Sequence, residues 1–564
     1  MLDTRRHVRP VSSQALLGSL FLAGLISPAS AQTLPDGPSI AAYAEQLLDE
    51  QKLGRDGPGV AILVARGEHV LYRGARGMAS LELGVPLSPD QAFRIGSVTK
   101  QFAAAALLKL IDEGRARLDD PLAKYLPAYP QGDKISLLQL LNHTSGIKSY
   151  TGIPGYMANP VRRELSTAQL IDEFKNQPAD FAPGQGWLYN NSGYVLVGAV
   201  IEAITGKPWH QYINEAMLAP NQLARTGYPG ETRVIKGMAS GYGADPAQGV
   251  IVDNMISMTQ PHAAGAFVST VDELWRWNRL LHGGKLLSPA SYARMVTPEG
   301  KASAANYGFG IASQTLRGQT LYQHGGGING FVSSLAYMPQ TQTSVVLLRN
   351  STGPGLNLDL LSRKLGAFAI GHKYAELQPI AMTAAQLKAF EGVYALDDKQ
   401  TRMLAVQDGR LMSTRGGGRP VALLPVGPDE FAFEMSVARF KAQRDGAGKV
   451  VALALYQDGE GAAEDWKRSG DLPVVTTIAL SPEQQQALIG EYQSPQFQIK
   501  VFRDEQGVLR GQAPGQPAFE LKATTPLNLY VAQVDAKLDF VLSEGRASQL
   551  TLLQGPNKLV MQRR

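Results

Sequence analysis

Apolar and polar positions follow two different textures along this chain, and the change falls near residue 373. Residues 40–53 place apolar side chains at helical spacing. Residues 59–65 and 69–77 are rich in Val, Leu, Ile and Tyr and flank a turn at Gly67, the pattern of a strand pair. From residue 93 to about residue 287 the periodicity is mostly helical, with breaks at Gly114, Pro121, Gly146, Pro183-Gly184 and Gly206-Lys207-Pro208. Strand patterning returns at residues 321–325, 331–338 and 343–349, and residues 356–370 predict a closing apolar helix. Strands, a large helical insert, more strands and a helix predict an α/β (α+β) unit whose first and last strands share one sheet.

Beyond residue 373 the chain turns to short alternating strands and Gly-rich turns. It also repeats itself. Gly392, Tyr394, Gly409 and Leu411 recur as Gly490, Tyr492, Gly507 and Leu509, all at one offset of 98. Two copies of about eight short strand-like runs predict two small all-β barrels or sandwiches. The organisation read from these patterns is a leader at 1–31, a main unit at 32–375 and β-units at 380–470 and 478–564.

Composition removes several classes. At 564 residues the chain is too long for one core, and its net charge of +5 is spread without a Lys/Arg block that would grip nucleic acid. With no cysteine there is no disulfide frame, thiol nucleophile or thiolate-bound metal. The eight histidines are scattered without a His-Glu-x-x-His pair, so neither a metal nor another cofactor is expected. Arg5, Arg6 and Arg9, an apolar run over residues 15–26 and Ala29-Ser30-Ala31 form the pattern of a cleaved secretory leader. Its removal leaves a net charge of +3. No later apolar run reaches the ~18 residues of a membrane span. The expected location is the bacterial periplasm, and the oligomeric state is not legible.

The chemistry gathers in three stretches. Ser97-Val98-Thr99-Lys100 stands at the head of a long apolar helix, and residues three apart lie on one helical face. A desolvated lysine beside a serine can take its proton. Tyr189-Asn190-Asn191-Ser192 precedes another apolar helix; Asn191 and Ser192 read as helix caps, whereas Tyr189 is surplus to that purpose and suits proton relay. His324-Gly325-Gly326-Gly327 reads either as a glycine-rich turn or as a strand that lets a ligand approach its backbone. Between them, residues 137–147 read as a helix ended by a polar turn, where His143 and Thr144 satisfy backbone groups.

In this order the stretches resemble the penicillin-recognising serine hydrolases, the superfamily of class C β-lactamases, serine D,D-peptidases, family VIII carboxylesterases and D-aminopeptidases. The resemblance covers roughly residues 40–370 and extends to Leu140–Ile147 and Ser269–Trp275. It implies Ser97 as the acylated nucleophile and Lys100 as its base or electrostatic support. Tyr189 would be the proton shuttle, its phenolate favoured by Lys100. Asn191 would hold substrate or the lysine amine, and His324 and Gly326 would line the cleft and orient substrate. The backbone N–H groups of Ser97 and Gly327 would form the oxyanion hole. Class C β-lactamases usually carry Lys where this chain has His324, so efficient penicillin hydrolysis is not expected. The implied activity is cleavage of a small amide or ester, with a D-amino-acid peptide as the leading substrate. A carboxylesterase or weak β-lactamase is the alternative on the same fold. A non-hydrolytic peptidoglycan or β-lactam sensor is the alternative of another class, and the presence of both Lys100 and Tyr189 argues against it.

Overall fold

The computed structural model describes residues 34–564 except 246, 417, 474–475, 495–496, 514–517, 532–535 and 555–556. The leader read at residues 1–31 lies outside the described residues. Helix α1 (Gly37–Glu50) starts where Asp36 caps the Ser39 N–H at 3.0 Å. Strands β1 (Val60–Arg66) and β2 (His69–Arg76) follow. The insert then supplies α2 (Thr99–Asp112), α3 (Leu137–Leu141), α4 (Asn191–Thr205), α5 (His262–Gly265) and α6 (Val271–His282). The chain returns as β3 (Ala312–Leu316), β4 (Gln319–Ile328), β5 (Phe331–Met338) and β6 (Thr343–Arg349), then α7 (Leu358–Ala369).

The six strands form one antiparallel sheet in the order β2-β1-β6-β5-β4-β3, so the first strand of this unit does lie beside its last. β1 and β6 pair from Val60↔Arg349 to Arg66↔Thr343 and are buried almost throughout. Both faces of the sheet are covered, which is why these strands read as unbroken apolar runs. Ala61, Leu63 and Ala65 face the helical insert, while Val60, Ile62 and Val64 face α1 and α7. Strand β3 is the one sheet strand absent from the sequence reading. It is an edge strand of Ala-Ser-Gln-Thr-Leu with one buried residue, so it carries no apolar signal.

Residues 392–470 close an eight-stranded antiparallel barrel. Residues 490–563 repeat its pairing, with the fourth strand broken at Leu521. The repeated Gly-x-Tyr acquires a physical reason here. The Tyr394 hydroxyl donates to Phe390 O at 2.8 Å and that of Tyr492 to Leu488 O at 2.6 Å, each tying the first strand of its barrel to the segment just before it. A Cβ on Gly392 would lie 2.8 Å from the Arg468 guanidinium, and one on Gly490 2.9 Å from that of Arg563. Among the described residues no helix is long and apolar enough to cross a membrane.

The first barrel grips the β3–β4 turn. Arg317, at φ 51°, donates its backbone N–H to the Asp458 carboxylate and pairs with Glu460. Arg363 reaches Asp458 at 2.9 Å, and the Tyr374 hydroxyl donates to the same carboxylate. Replacing Asp458 strands an arginine and a tyrosine that are largely buried. Asp458→Ala is expected to lower unfolding stability by about 2 kcal/mol, read as a shift of the urea midpoint of the full-length protein. An unchanged midpoint would mean that the barrel merely touches this turn.

Candidate active site

Ser97 is presented by backbone pairing rather than by its own side chain. Phe93 and Arg94 pair with Ser269 and Val268, and the Ile95 N–H donates to Phe267 O at 3.0 Å. Gly96, at φ 49°, then turns the chain into a single 3-10 turn over Gly96–Val98 that feeds α2. Thr99 fastens the turn: its hydroxyl donates to Gly96 O at 2.7 Å and accepts the Phe267 N–H at 3.1 Å. The neighbours of Ser97 in the turn and the first turn of α2 are buried, while Ser97 itself stays partly open.

One helical turn on, Lys100 is fully buried. Its Nζ lies 2.8 Å from Asn191 Oδ1, 2.8 Å from Ala264 O and 3.1 Å from Ser97 Oγ. The ring centroids of Tyr189 and Tyr194 lie 4.7 Å and 5.5 Å away. No carboxylate is among these neighbours, and burial pushes the amine well below its ordinary pKa. A neutral amine has two N–H groups and one lone pair. The Asn191 and Ala264 oxygens can only accept, so they take the N–H groups and the lone pair is left for the Ser97 hydroxyl. That arrangement can deprotonate a serine.

Tyr189 lies half-buried over this amine. Burial raises its pKa, and the Ser97 hydroxyl, acting as hydrogen-bond partner, draws it partly back. The phenolate expected at Tyr189 is therefore not the resting state: the structure favours a neutral phenol beside a neutral amine. These two forms differ by one proton moved between Lys100 and Tyr189, and the neutral pair avoids holding two separated charges in an apolar site. A second expectation is also revised. The cap of α4 is Asn190, which accepts the Gly193 N–H at 2.8 Å, and neither Asn191 nor Ser192 serves. Asn191 instead splits its amide between Lys100 and Thr151, the latter at 3.0 Å. His143, at φ 65°, accepts the Asn190 N–H on Nδ1 at 3.2 Å and so steadies the segment carrying Tyr189 and Asn191. Its backbone role agrees with the sequence reading; its ring, against those of Tyr189 and Tyr307, goes beyond it.

The opposite wall is the free edge of β4. Pairing with β3 ends at Gln323↔Ala312, whereas pairing with β5 continues to Ile328↔Phe331. Antiparallel pairs alternate, so Gly325 and Gly327 turn their N–H and C=O groups toward the edge that β3 has vacated. Gly326 faces the turn before Ser97: a Cβ there would lie 2.0 Å from Ile95 O. A Cβ on Gly96 would lie 2.9 Å from Gly327 O, whereas one on Gly327 would meet open space. The Ser97 and Gly327 backbones thus border one opening, and Ser97 stands in the first turn of a helix, where N–H groups have no intrahelical acceptor.

His324 is turned inward rather than toward the cleft. Its Nδ1 donates to Gly325 O at 2.6 Å, which leaves Nε2 to accept the Tyr307 hydroxyl at 2.8 Å. Burial first, then the nearby Lys100, lower its pKa to about 3. It is a neutral strut that ties Tyr307 to the β4 edge, so its expected contact with substrate is replaced by a hold on the Gly325 carbonyl. Tyr307 and the Ala264 carbonyl were missed by sequence reasoning. Tyr307-Gly308-Phe309-Gly310 did carry a signal, an aromatic residue between glycines: Cβ atoms on Gly308 and Gly310 would lie 2.2 Å from Met295 O and 2.8 Å from the Lys100 backbone. A backbone carbonyl such as that of Ala264 carries none. Among the described residues no group of three or more His, Asp or Glu is placed to hold a metal ion.

A two-faced antiparallel sheet with a serine, a desolvated lysine and a free strand edge at one opening defines a serine hydrolase of the penicillin-recognising kind. The chain belongs to the Beta-lactamase family, which it matches over residues 40–367. It is 24% identical to "Penicillin-binding protein 4*" of Bacillus subtilis (strain 168), over 71% of this chain and 92% of that protein. It is 26% identical to the D-aminopeptidase of Gluconobacter oxydans (strain 621H), over 60% of this chain and 65% of that protein. The solved octameric penicillin-binding protein homologue from Pyrococcus abyssi shares its fold, with a TM-score of 0.55 and 23% identity over 77% of this chain and 99% of that one.

The buried histidines set an acid limit to stability. His262 and His324 are lowered to about 3 and His143 well below its ordinary value, in each case chiefly by burial. His282 is lowered for the same reason. In the unfolded chain histidine titrates near ~6.5, so between there and about 3 the unfolded state binds more protons and stability falls as pH falls. Urea midpoints measured between pH 7 and pH 4.5 are expected to drop steadily, with net proton uptake on unfolding. A flat profile would show that these imidazoles are solvated.

Proposed function

We propose that this chain is an exported hydrolase that forms an acyl-enzyme on Ser97 and cleaves a small amide or ester, with D-amino-acid peptides or amides as its preferred substrates. The observation that carries the proposal is the lysine lone pair left facing the Ser97 hydroxyl. Lys100 takes the proton as Ser97 Oγ attacks the substrate carbonyl carbon. The carbonyl oxygen becomes an oxyanion held by the Ser97 and Gly327 N–H groups, whose loss singly costs about 3–4 kcal/mol in such sites. Tyr189 passes its proton to the leaving nitrogen or oxygen and recovers one from Lys100 as the carbon–leaving-group bond breaks. Water then enters, gives a proton to the same pair, attacks the acyl carbon and releases the acid with Ser97 reprotonated.

The likeness to a D-aminopeptidase supports the choice of substrate, and the leader pattern at residues 1–31 supports export to the periplasm. A carboxylesterase remains the second reading, and one observation favours it. His324 is neutral and committed inward, so the position carries no fixed cation for the carboxylate of a β-lactam, and an uncharged ester is served as well as an amide.

The test is a panel of D- and L-aminoacyl p-nitroanilides, p-nitrophenyl esters and nitrocefin, run beside fluorophosphonate labelling with intact-mass detection. One label on the wild type and none on Ser97→Ala is expected, with activity lost by several orders of magnitude. Full activity in Ser97→Ala ends the acyl-enzyme reading. Ester turnover far above D-anilide turnover ends the D-peptide reading alone. Because the base is the neutral amine, kcat/KM is expected to fall as pH drops through the depressed Lys100 pKa, with the slope of one proton.

A further inference from the structure

The two barrels are one design built twice, and they differ in what fills them. The strand pair carrying Phe431↔Phe440 and Glu430↔Lys441 in the first recurs as Leu529↔Leu538 and Asn528↔Asp539 in the second, in the same register at an offset of 98. The pairs Tyr394↔Arg402 and Leu404↔Ser413 recur as Tyr492↔Ile499 and Val501↔Gly511. These correspondences let the interiors be compared position by position.

In the first barrel one end is plugged. Arg402 is buried, with its guanidinium 5.1 Å from the Phe433 ring and 4.9 Å from the Trp466 ring, and it donates to Ser413 Oγ at 2.6 Å. Phe440 packs against Phe433 with centroids 6.2 Å apart. In the second barrel Arg402 is replaced by Ile499, Ser413 by Gly511, Phe433 by Val531 and Phe440 by Leu538. Each exchange shortens or removes a side chain. All four replacements line a cavity of about 200 Å³. The cavity lies where the first barrel keeps its plug. An apolar cavity of roughly 150 Å³ accepts a benzene ring, and barrels with unfilled interiors are ligand cups; this one is open to solvent, and Gln512 and Gln554 join the apolar side chains of its lining. Among the described lining residues one is charged, Arg419, which is exposed and comes from the first barrel.

We propose that the second barrel is a binding site for a small apolar carboxylate, an aryl or short alkyl acid, with its hydrocarbon part between Ile499, Val531 and Leu538 and its carboxylate at Arg419. Size and charge commit it to this occupant. The space takes a ring or a few methylenes rather than a peptide, and the one charge among its described lining residues is positive. The site is distinct from Ser97 and does not depend on the proposed reaction.

The probe is 4-fluorophenylacetate, titrated into the full-length protein and followed by ¹⁹F NMR, with 4-fluorobenzyl alcohol as the uncharged comparator. Saturable binding is expected. Val531→Phe, which restores the first barrel's filling, is expected to weaken it at least about tenfold while ester or anilide hydrolysis is unchanged. Arg419→Glu is expected to weaken the acid about tenfold and to leave the alcohol within about twofold. Leu538→Phe, which copies the first barrel's Phe440, serves in place of Val531→Phe should that variant fail to fold. Absence of saturation, equal binding in the filled variants, or indifference to Arg419→Glu would each overturn the assignment.

Discussion

A lysine amine with no carboxylate beside it, wholly removed from water, is the constraint that the rest of the catalytic unit answers to. Holding Lys100 there requires acceptors for its N–H groups from elements far apart in the chain: Asn191 at the start of α4 and the Ala264 carbonyl in α5. Bringing three backbones that close leaves no room for side chains between them. Gly310 presses on the Lys100 backbone, and Gly198 of α4 on the His262 ring that opens α5. His262 itself takes φ 47°, a conformation that costs a non-glycine residue energy and persists because Gly198, Thr167 and Trp209 enclose it. The small residues of the insert are therefore a consequence of the buried amine as much as of helix packing.

Neutrality extends beyond the lysine. His143 and His324 are each held neutral first by burial and then by Lys100, whose charge would raise the energy of theirs. The coupling is mutual: two uncharged imidazoles add no repulsion to the amine, and they add no counter-charge that would keep it protonated. Tyr189 and Tyr307 complete a cluster in which burial disfavours every ionised form. In such a cluster a single proton passing between Ser97, Lys100 and Tyr189 is the least disruptive event available, which is what acyl transfer requires of it.

The parts legible in the sequence were those written in side-chain type and spacing. β1, β2, β4, β5 and β6 announced themselves by strand patterning, and Ser97, Lys100 and Asn191 do converge on one point. The parts that were not legible are carried by backbone or by context. The Ala264 carbonyl has no sequence signature, and β3 is an edge strand too polar to register. The resemblance implied a cleft-lining His324, yet the glycines beside it let the strand lie against Ile95, and the imidazole turns inward toward Tyr307. Asn190 and Asn191 are chemically identical, so capping preference could not say which would face the helix and which the lysine.

The strand bearing His324 and Gly327 also joins the two halves of the molecule. β4 begins at the turn around Arg317, which the first barrel holds through Asp458, and ends at the opening beside Ser97. A barrel used in this way has to be rigid, and the first one is packed with rings and a buried guanidinium. The second barrel repeats the same pairing without that duty at β4. Its Gly490, Tyr492 and Arg563 preserve the closure seen at Gly392, Tyr394 and Arg468, while the interior plug has been lost. The shared pairing shows that the frame of such a barrel does not depend on what fills it, which leaves the interior of the second free to hold a ligand.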